Sequence, residues 1–187
     1  MDIYKHLPIY EGKNFILRGV SMSDVNDLLT VYSDDQAVPY FNGDNCHGDD
    51  FHYTTTERMT EAVKFWQFSY DNGYFVRWAI VDKRNDKVIG TIECFHREEC
   101  GDPYGNCGLF RLDLRHDYEN DTAITEILSL LLTDEIYDLF WCDKLATKVK
   151  PFATERLAAI QKLGFTLGGT LKGNAGEEFT DYYLLKK

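Results

Sequence analysis

The strongest structural signal in this sequence lies around Lys87-Val88-Ile89-Gly90-Thr91-Ile92. This segment belongs to the second of two apolar runs, at residues 76–81 and 88–95, which are separated by the polar segment Asp82-Lys83-Arg84-Asn85-Asp86. Two such runs joined by a short polar link are typical of a β-hairpin. A third run, at residues 107–114, predicts a further strand beside them.

Two helices are predicted on the N-terminal side of this hairpin. After a short strand at residues 15–17, Ser21 or Ser23 is expected to cap a helix. Its apolar residues have the i, i+3, i+4, i+7 spacing of one helix face: Val25, Leu28, Leu29 and Tyr32. Thr54 and Glu57 form the capping-box pattern of a second helix that ends before Gly73. Residues 33–53 show no period and are expected to form a long surface loop.

The C-terminal half alternates helices and strands. A core helix is predicted over residues 123–140, which are apolar on most sides. A strand at 145–149, a helix at 154–163 that ends at Gly164, and two strands at 165–171 and 180–185 follow. The pattern alone therefore predicts a single α/β or α+β domain over residues 1–187.

Composition excludes several classes of protein. The chain has 20 Lys and Arg against 31 Asp and Glu, a formal net charge of −11, and 44% hydrophobic residues. An apolar content this high is typical of a packed core, and the excess of carboxylates argues against nucleic-acid binding, which needs clustered cations. We expect a cationic partner, no membrane span and a cytoplasmic location. Five cysteines without a C-x-x-C pair indicate reduced thiols, and neither they nor the histidines match the spacing of a zinc site.

The chain resembles the GNAT superfamily of acetyl-CoA-dependent N-acetyltransferases. Besides the segment at residues 87–92, the resemblance rests on Ala146-Thr147-Lys148-Val149-Lys150-Pro151 and on Gln161-Lys162-Leu163-Gly164-Phe165. Phe15-Ile16-Leu17-Arg18 and the acidic first helix are similar to the branch that contains the ribosomal-protein N-terminal acetyltransferases. The resemblance implies a mixed, mostly antiparallel central sheet with a splayed parallel strand pair and flanking helices.

The resemblance also implies that the acetyl-CoA pyrophosphate binds backbone N–H groups where residues 107–114 lead into the next helix. A helix N-terminus offers unpaired donors and a partial positive charge for such a group. The implied cofactor-binding residues are Leu112, Leu114, Asn120, Asp121, Thr122, Ala123 and Arg156.

Several of these positions depart from the family pattern. Asn120 and Thr122 stand where the family has glycines, and Asp121 stands where it usually has a basic residue. Asn tolerates a left-handed backbone, whereas the branched Thr side chain disfavours it. Asp117, Glu119 and Asp121 would repel an anionic ligand and suit an ordinary helix start.

A second family site departs in the same way. Ala153 replaces the family's Asn after Pro151, and Arg156 replaces its Ser. Arg156 suits either a phosphate or the acidic loop, since a guanidinium binds both kinds of anion. Ile160 stands where some relatives have a tyrosine that protonates the leaving thiolate.

Asp113 and Glu93 are the candidate general bases, because an attacking amine must lose a proton and a carboxylate can accept it. For each, a surface carboxylate is the competing interpretation, since strand side chains alternate between the two faces. Cys94 and Cys107 are interpreted as core residues and His96 and His116 as surface residues. The aromatic side chains of the long loop fit either the core or an acceptor pocket: Tyr40, Phe41, Phe51 and Tyr53.

Two functions follow from the sequence. One is an N-acetyltransferase that moves an acetyl group from acetyl-CoA to a primary amine, either a small cationic amine or a peptide N-terminus. The other is a catalytically impaired GNAT-fold binding or interaction module that has lost tight CoA binding. Asn120, Asp121, Thr122, Ala153 and Ile160 favour the second, while the intact apolar scaffold is common to both.

Overall fold

The computed structural model describes residues 2–97, 103–173 and 176–187. Eight strands and five α-helices follow one another along these residues. They are β1 (Tyr10–Glu11), β2 (Phe15–Gly19), α1 (Val25–Tyr32), α2 (Thr56–Asp71), β3 (Val76–Asp82), β4 (Lys87–Arg97), β5 (Cys107–Leu114), α3 (Asp121–Leu131), α4 (Asp134–Leu139), β6 (Lys144–Lys148), α5 (Thr154–Lys162), β7 (Thr166–Lys172) and β8 (Glu178–Lys186).

All eight strands form one sheet in the order β1-β2-β3-β4-β5-β6-β8-β7. Every neighbouring pair is antiparallel except β5 and β6, which are parallel. The predicted fold class, a mostly antiparallel sheet with one parallel pair and flanking helices, is confirmed. Strands β4 and β5 approach each other closely at Gly90, where a Cβ would lie 2.2 Å from the Asp113 carbonyl oxygen. This close approach explains the glycine within the segment at residues 87–92.

Each face of the sheet carries its own apolar core. On one face, Trp78, Ile92 and Phe110 pack with residues of α3, α4 and α5. On the other face, Ala79 and Val81 pack with the apolar sides of α1 and α2. Alternation along the strands produces this division, since successive side chains point to opposite faces. Polar side chains on the α1 and α2 face are therefore buried between the sheet and these two helices.

The parallel strands β5 and β6 separate at one end. Their register pairs Cys107 with Lys144, Gly108 with Leu145 and Leu109 with Ala146, and no further pair follows. The remaining residues of β5 continue to pair only with β4. The chain connecting β5 to β6 contains α3 and α4, as expected for a β-α-β crossover. The predicted splay is confirmed, and it leaves a gap beside the second half of β5.

Two predicted features differ from the structure, and the structure contains one strand more than expected. The helix predicted over residues 123–140 is two helices, α3 and α4, because Leu132 leaves the helical region and Thr133 starts a new helix followed by Asp134 and Glu135. The cap of α2 is Thr55 rather than Thr54, since its hydroxyl accepts from the Arg58 N–H at 3.2 Å. The edge strand β1 was not predicted.

Within the described residues, none of the helices is long and apolar enough to cross a membrane. Cys94 is buried in β4, and Cys107 is buried in β5, as their interpretation as core residues predicts. Cys46, Cys94 and Cys142 form no disulfide. Cys100 lies outside the described residues.

Candidate functional site

The start of α3 is an ordinary capped helix N-terminus. Asn120 has an extended backbone with φ of −132°, and its side-chain oxygen accepts from the Ala123 N–H at 3.0 Å. Thr122 lies in the first turn and is not among the residues with positive φ. Neither position adopts a left-handed backbone, because the helix begins at Asp121 and the residue before it only has to be extended.

Acidic side chains of the protein itself surround this helix start. The Asp121 N–H donates to Glu155 of α5 at 3.1 Å, so a second donor of the first turn is already bound. Asp121 forms an ion pair with Lys162, and the hydrogen bond from Lys162 lowers the pKa of Asp121. Asp117 is paired with Arg115, whose hydrogen bond likewise lowers the pKa of Asp117. Both aspartates therefore carry their charge at neutral pH.

Arg156 of α5 lies in the gap between β5 and β6. Its Nη1 donates to the Leu112 carbonyl oxygen at 2.8 Å and to the Tyr40 carbonyl oxygen at 3.3 Å. Its Nε donates to Glu119 at 3.2 Å, and both side chains are buried. Of the two partners considered for Arg156, the structure pairs it with the acidic loop. Leu114, at the end of β5, pairs with Gly90 of β4.

These contacts determine how well the gap suits acetyl-CoA. A bound CoA needs free backbone N–H donors for its pyrophosphate and an open strand edge beside it. Here Asn120 and Glu155 bind two donors of α3, and Arg156 binds the strand carbonyl of Leu112. In this arrangement the residues at the gap do not fit a bound CoA.

A cavity of about 760 Å³ lies on the opposite face of the sheet, between α2, the loop at residues 45–53 and strands β3 to β5. Its floor contains a row of three charged side chains from adjacent strands, Arg77, Glu93 and Arg111, which are paired across the sheet in that order. Glu93 accepts from Arg77 and, at 2.5 Å, from Arg111. Burial raises the pKa of Glu93, but the charges of the two arginines outweigh it and lower the pKa below its usual range.

Asp113, the other candidate base, lies next to this row but does not line the cavity. Its carboxylate accepts from the Tyr32 hydroxyl at 2.8 Å and from Arg77 at 3.2 Å. Burial raises the pKa of Asp113 despite the nearby arginine charge. Neither candidate is a surface carboxylate, and only Glu93 faces the cavity.

The long loop closes one side of the cavity and is anchored at several points. The Asp44 carboxylate pairs with Lys148 of β6 at 2.7 Å, and its carbonyl oxygen accepts from Arg111 at 2.8 Å. Asn45, His47 and Phe51 have positive φ, which is uncommon for residues other than glycine. Backbone strain of this kind is often found where a loop forms the wall of a ligand site.

The four loop aromatics divide between core and cavity. Phe51 and Tyr53 line the cavity, whereas Phe41 is buried against Tyr32 and Tyr40 packs on Phe152. Trp66 of α2 is buried and also forms part of the cavity wall.

The sequence interpretation missed the arginine pair. Arg77 and Arg111 are almost wholly buried, yet both stand inside apolar strand segments at positions opposite Glu93. The sequence contained one indication of this row, since each of three successive apolar strand segments includes a charged residue. His96, expected to be a plain surface residue, is instead half-buried, lies 2.8 Å from the Asn106 side-chain oxygen and lines the cavity. In the part of the chain that the structure describes, no three potential metal-ligating side chains are grouped.

Comparison with known proteins agrees with this fold. The family model of the acetyltransferase (GNAT) domain matches residues 14–166. No curated protein sequence matches the chain. A structure described as the ribosomal L7/L12 alpha-N-protein acetyltransferase RimL in complex with coenzyme A has a TM-score of 0.71 at 16% identity and covers 96% of this chain and 98% of its own.

Two further structures show the same fold. The GNAT-family acetyltransferase from Bacillus anthracis has a TM-score of 0.68 at 12% identity, over 96% of this chain and 98% of that one. The ribosomal-protein-S5-alanine acetyltransferase from Vibrio fischeri has a TM-score of 0.63 at 16% identity, over 96% of each chain. At these identities the similarities show the fold. Because the domain model matches most of the sequence, the chain belongs to the GNAT acetyltransferase family.

Proposed function

We propose that this chain is a GNAT-fold binding domain that uses the cavity beside α2 and has lost tight binding of acetyl-CoA. The observation that carries the proposal is the position of Arg156, which is buried in the gap between β5 and β6 and bonded to the Leu112 carbonyl. The alternative function predicted from the sequence is thus the one that the geometry favours.

The energetics of the gap support this proposal. A CoA molecule that displaced Arg156 would leave the buried carboxylate of Glu119 without its partner. Breaking a buried ion pair by removing one partner costs about 3–5 kcal/mol. That cost is a large part of the about 8 kcal/mol that a micromolar dissociation constant represents.

The negative charge around the start of α3 also disfavours the binding of CoA. Asp117, Glu119, Asp121 and Glu155 all lie at or near the helix start, where a pyrophosphate would bind. Carboxylates at this position already satisfy the positive end of the helix and repel a second anion. Arg115, Arg156 and Lys162 form ion pairs with three of these carboxylates, and the fourth, Glu155, accepts from the Asp121 N–H.

Calorimetric titration with acetyl-CoA and with CoA tests the proposal. We expect no measurable binding up to about millimolar ligand, whereas an enzyme of this family would bind in the micromolar range. A micromolar dissociation constant would overturn the proposal and favour the transferase described next.

The second candidate is an N-acetyltransferase that moves an acetyl group from acetyl-CoA to a primary amine. The observation that favours it is the buried Glu93, which faces the cavity next to β5 and is placed to accept the amine proton. The low pKa of Glu93 makes it a weak base, while Asp113, with its raised pKa, is closed off by Tyr32. Two of the similar structures are ribosomal-protein acetyltransferases, which supports a peptide N-terminus as the acceptor.

An assay of CoA release tests this candidate. Its acceptors are a polyamine, an aminoglycoside, a peptide with a free N-terminus and a neutral amine, each with acetyl-CoA. Turnover with any of them supports the transferase, and its absence with all of them supports the binding domain. The expected preference for a cationic acceptor rests on the net charge of −11, which attracts cations at long range.

We further propose that residues 1–187 act as one domain and that the protein is cytoplasmic, as the free thiols of Cys46, Cys94 and Cys142 suggest.

A further inference from the structure

Charged side chains that line the cavity beside α2 are paired within the protein. Arginines of the lining have carboxylate partners: Arg58 pairs with Asp49, Arg111 with Glu93, and Arg77 with both Glu93 and Asp113. Arg97, at the same cavity, donates to the Lys172 carbonyl oxygen at 2.6 Å. A charged ligand would lose its hydration here without gaining a free counter-charge from these pairs, and burying an ion in that way is costly. The pairing therefore favours an uncharged ligand.

The paired guanidinium groups also lie over aromatic rings of the cavity. The distances from the guanidinium carbon to the ring centroid are 4.4 Å for Arg58 and Tyr53, 4.2 Å for Arg77 and Trp66, and 5.3 Å for Arg111 and Phe95. An aromatic face attracts a cation, so each of these arginines is held both by a carboxylate and by a ring. A ligand that drew one of them away would break contacts that the protein already makes.

The aromatic walls continue out of the cavity onto the surface. Phe65 of α2 and Tyr74, just after α2, line the cavity and are exposed. Phe68, also exposed, packs edge-on against Tyr74 with the ring centroids 6.3 Å apart. Single exposed apolar side chains are common on proteins, but a group of them at the rim of a cavity is typical of a binding surface. A ring that enters the cavity can pack on these walls by offset or edge-to-face contacts.

A few polar side chains complete the lining. Asn45, His47 and His96 contribute amide and imidazole groups, which can donate to or accept from an uncharged polar group of a ligand. Asn45 and His47 have φ of 61° and 53°, a conformation that persists only where the surrounding structure holds the residue in place. Apolar walls with a small number of fixed polar groups are the usual composition of a small-molecule site.

We propose that the cavity binds an uncharged aromatic molecule that carries a neutral hydrogen-bonding group such as an amide. The ring packs between the aromatic walls and extends toward Phe65 and Tyr74 at the rim, and the amide meets the polar side chains of the lining. The cavity volume of about 760 Å³ lies within the range of about 300–1,000 Å³ that small organic ligands occupy. This inference rests on the proposed function, in that the cavity and not the gap beside Arg156 is the site in use.

Ligands of similar size that differ in charge test the proposal. Calorimetry without CoA compares indole-3-acetamide, which is neutral, with indole-3-acetate and tryptamine, which carry opposite charges on the same side chain of the ring. We expect the amide to bind at least about tenfold more tightly than either charged ligand, because neither charge finds a free partner in the lining. Acetamide, which has no ring, should not bind at about 10 mM. Equal or tighter binding of a charged ligand, or no binding of indole-3-acetamide at about 1 mM, would overturn the proposal.

Variants at the rim locate the site on the folded protein. Phe65→Ala should weaken the binding of indole-3-acetamide several-fold, because it removes part of an aromatic wall. Phe152→Ala is the matched control, since the two side chains are 57% and 53% exposed and Phe152 lies outside the cavity lining. Equal affinities of the two variants would place the ligand elsewhere and overturn the inference. Failure of this inference and failure of the proposed function are separable, because the first is measured without CoA and the second by titration with acetyl-CoA alone.

Discussion

Arg156 and Glu119 form an ion pair across the gap between β5 and β6, with side chains only 4% and 3% exposed. Arg156 stands on α5 and Glu119 on the segment before α3, so the pair joins the two elements that border the gap. The same guanidinium also donates to the Leu112 carbonyl. One side chain therefore links both helices to the open edge of β5, at the place where this family is expected to bind its cosubstrate.

Removing this pair should open the gap. We expect the double variant Arg156→Ser with Glu119→Gln to bind acetyl-CoA at least about tenfold more tightly than the unmodified protein, measured by calorimetry. The single variant Arg156→Ser should lose about 3–5 kcal/mol of stability, because it leaves a buried carboxylate unpaired. The matched control is Arg115→Ser with Asp117→Asn, an ion pair in the same connection whose Asp117 is exposed. A folded double variant with unchanged affinity would show that Arg156 is not the obstacle.

Reversing the charge at the start of α3 should also favour the binding of CoA. We expect Asp121→Lys with Thr122→Gly to tighten the binding of CoA, since the change removes a carboxylate and a branched side chain and adds a cation. Glu57→Lys makes the same charge change in the first turn of α2, far from the gap, and serves as the control. If both proteins bind CoA equally, Asp121 and Thr122 do not face the ligand.

Glu93 should contribute strongly to stability. It is the carboxylate shared by Arg77 and Arg111, and all three side chains are buried. Glu93→Gln should lower the free energy of unfolding by about 3–5 kcal/mol, because the buried guanidinium of Arg111 loses the charge of its partner, while that of Arg77 retains the ion pair with Asp113. Glu61→Gln, at an exposed position of α2, should change it by less than about 0.5 kcal/mol. Urea denaturation measures both, and a small loss for Glu93→Gln would contradict the shared pairing.

Asp82 should make stability depend on pH in the acid range. Hydrogen bonds from Arg84, and also from Tyr118, hold the pKa of Asp82 well below its usual range. The unfolded chain therefore binds a proton at this position at higher pH than the folded protein does. The stability contributed by Asp82 is complete above about pH 5 and is lost as the pH falls through about 4 and below.

Unfolding measured from pH 6 to acid pH checks this expectation. Asp82→Asn should be less stable at pH 6 and should lose less stability on acidification than the unmodified protein. Asp35→Asn, at a side chain that is 90% exposed, should follow the unmodified curve. Parallel curves for the Asp82 variant and the unmodified protein would argue against the depressed pKa.

Local patterns predicted most of the fold correctly, because each was carried by neighbouring residues. The apolar run at residues 88–95 and the i, i+3, i+4, i+7 spacing of Val25 to Tyr32 both reflect which residues of one element are buried. The same patterns predicted one helix in place of α3 and α4, because apolar side chains continue through Leu132. The break between the two helices is seen only in the backbone conformation of Leu132.

The family resemblance of the sequence also predicted that Asn120, Thr122 and Arg156 stand where relatives have glycine or a small residue. It left open what Arg156 binds and whether Glu93 is buried. Only the tertiary structure decided that Arg156 pairs with Glu119, which is 37 residues away, and that Arg77, Glu93 and Arg111 form one buried row. The physical reason is that strand register and the packing of α5 choose the partners of charged side chains, and both depend on contacts between residues far apart in the chain.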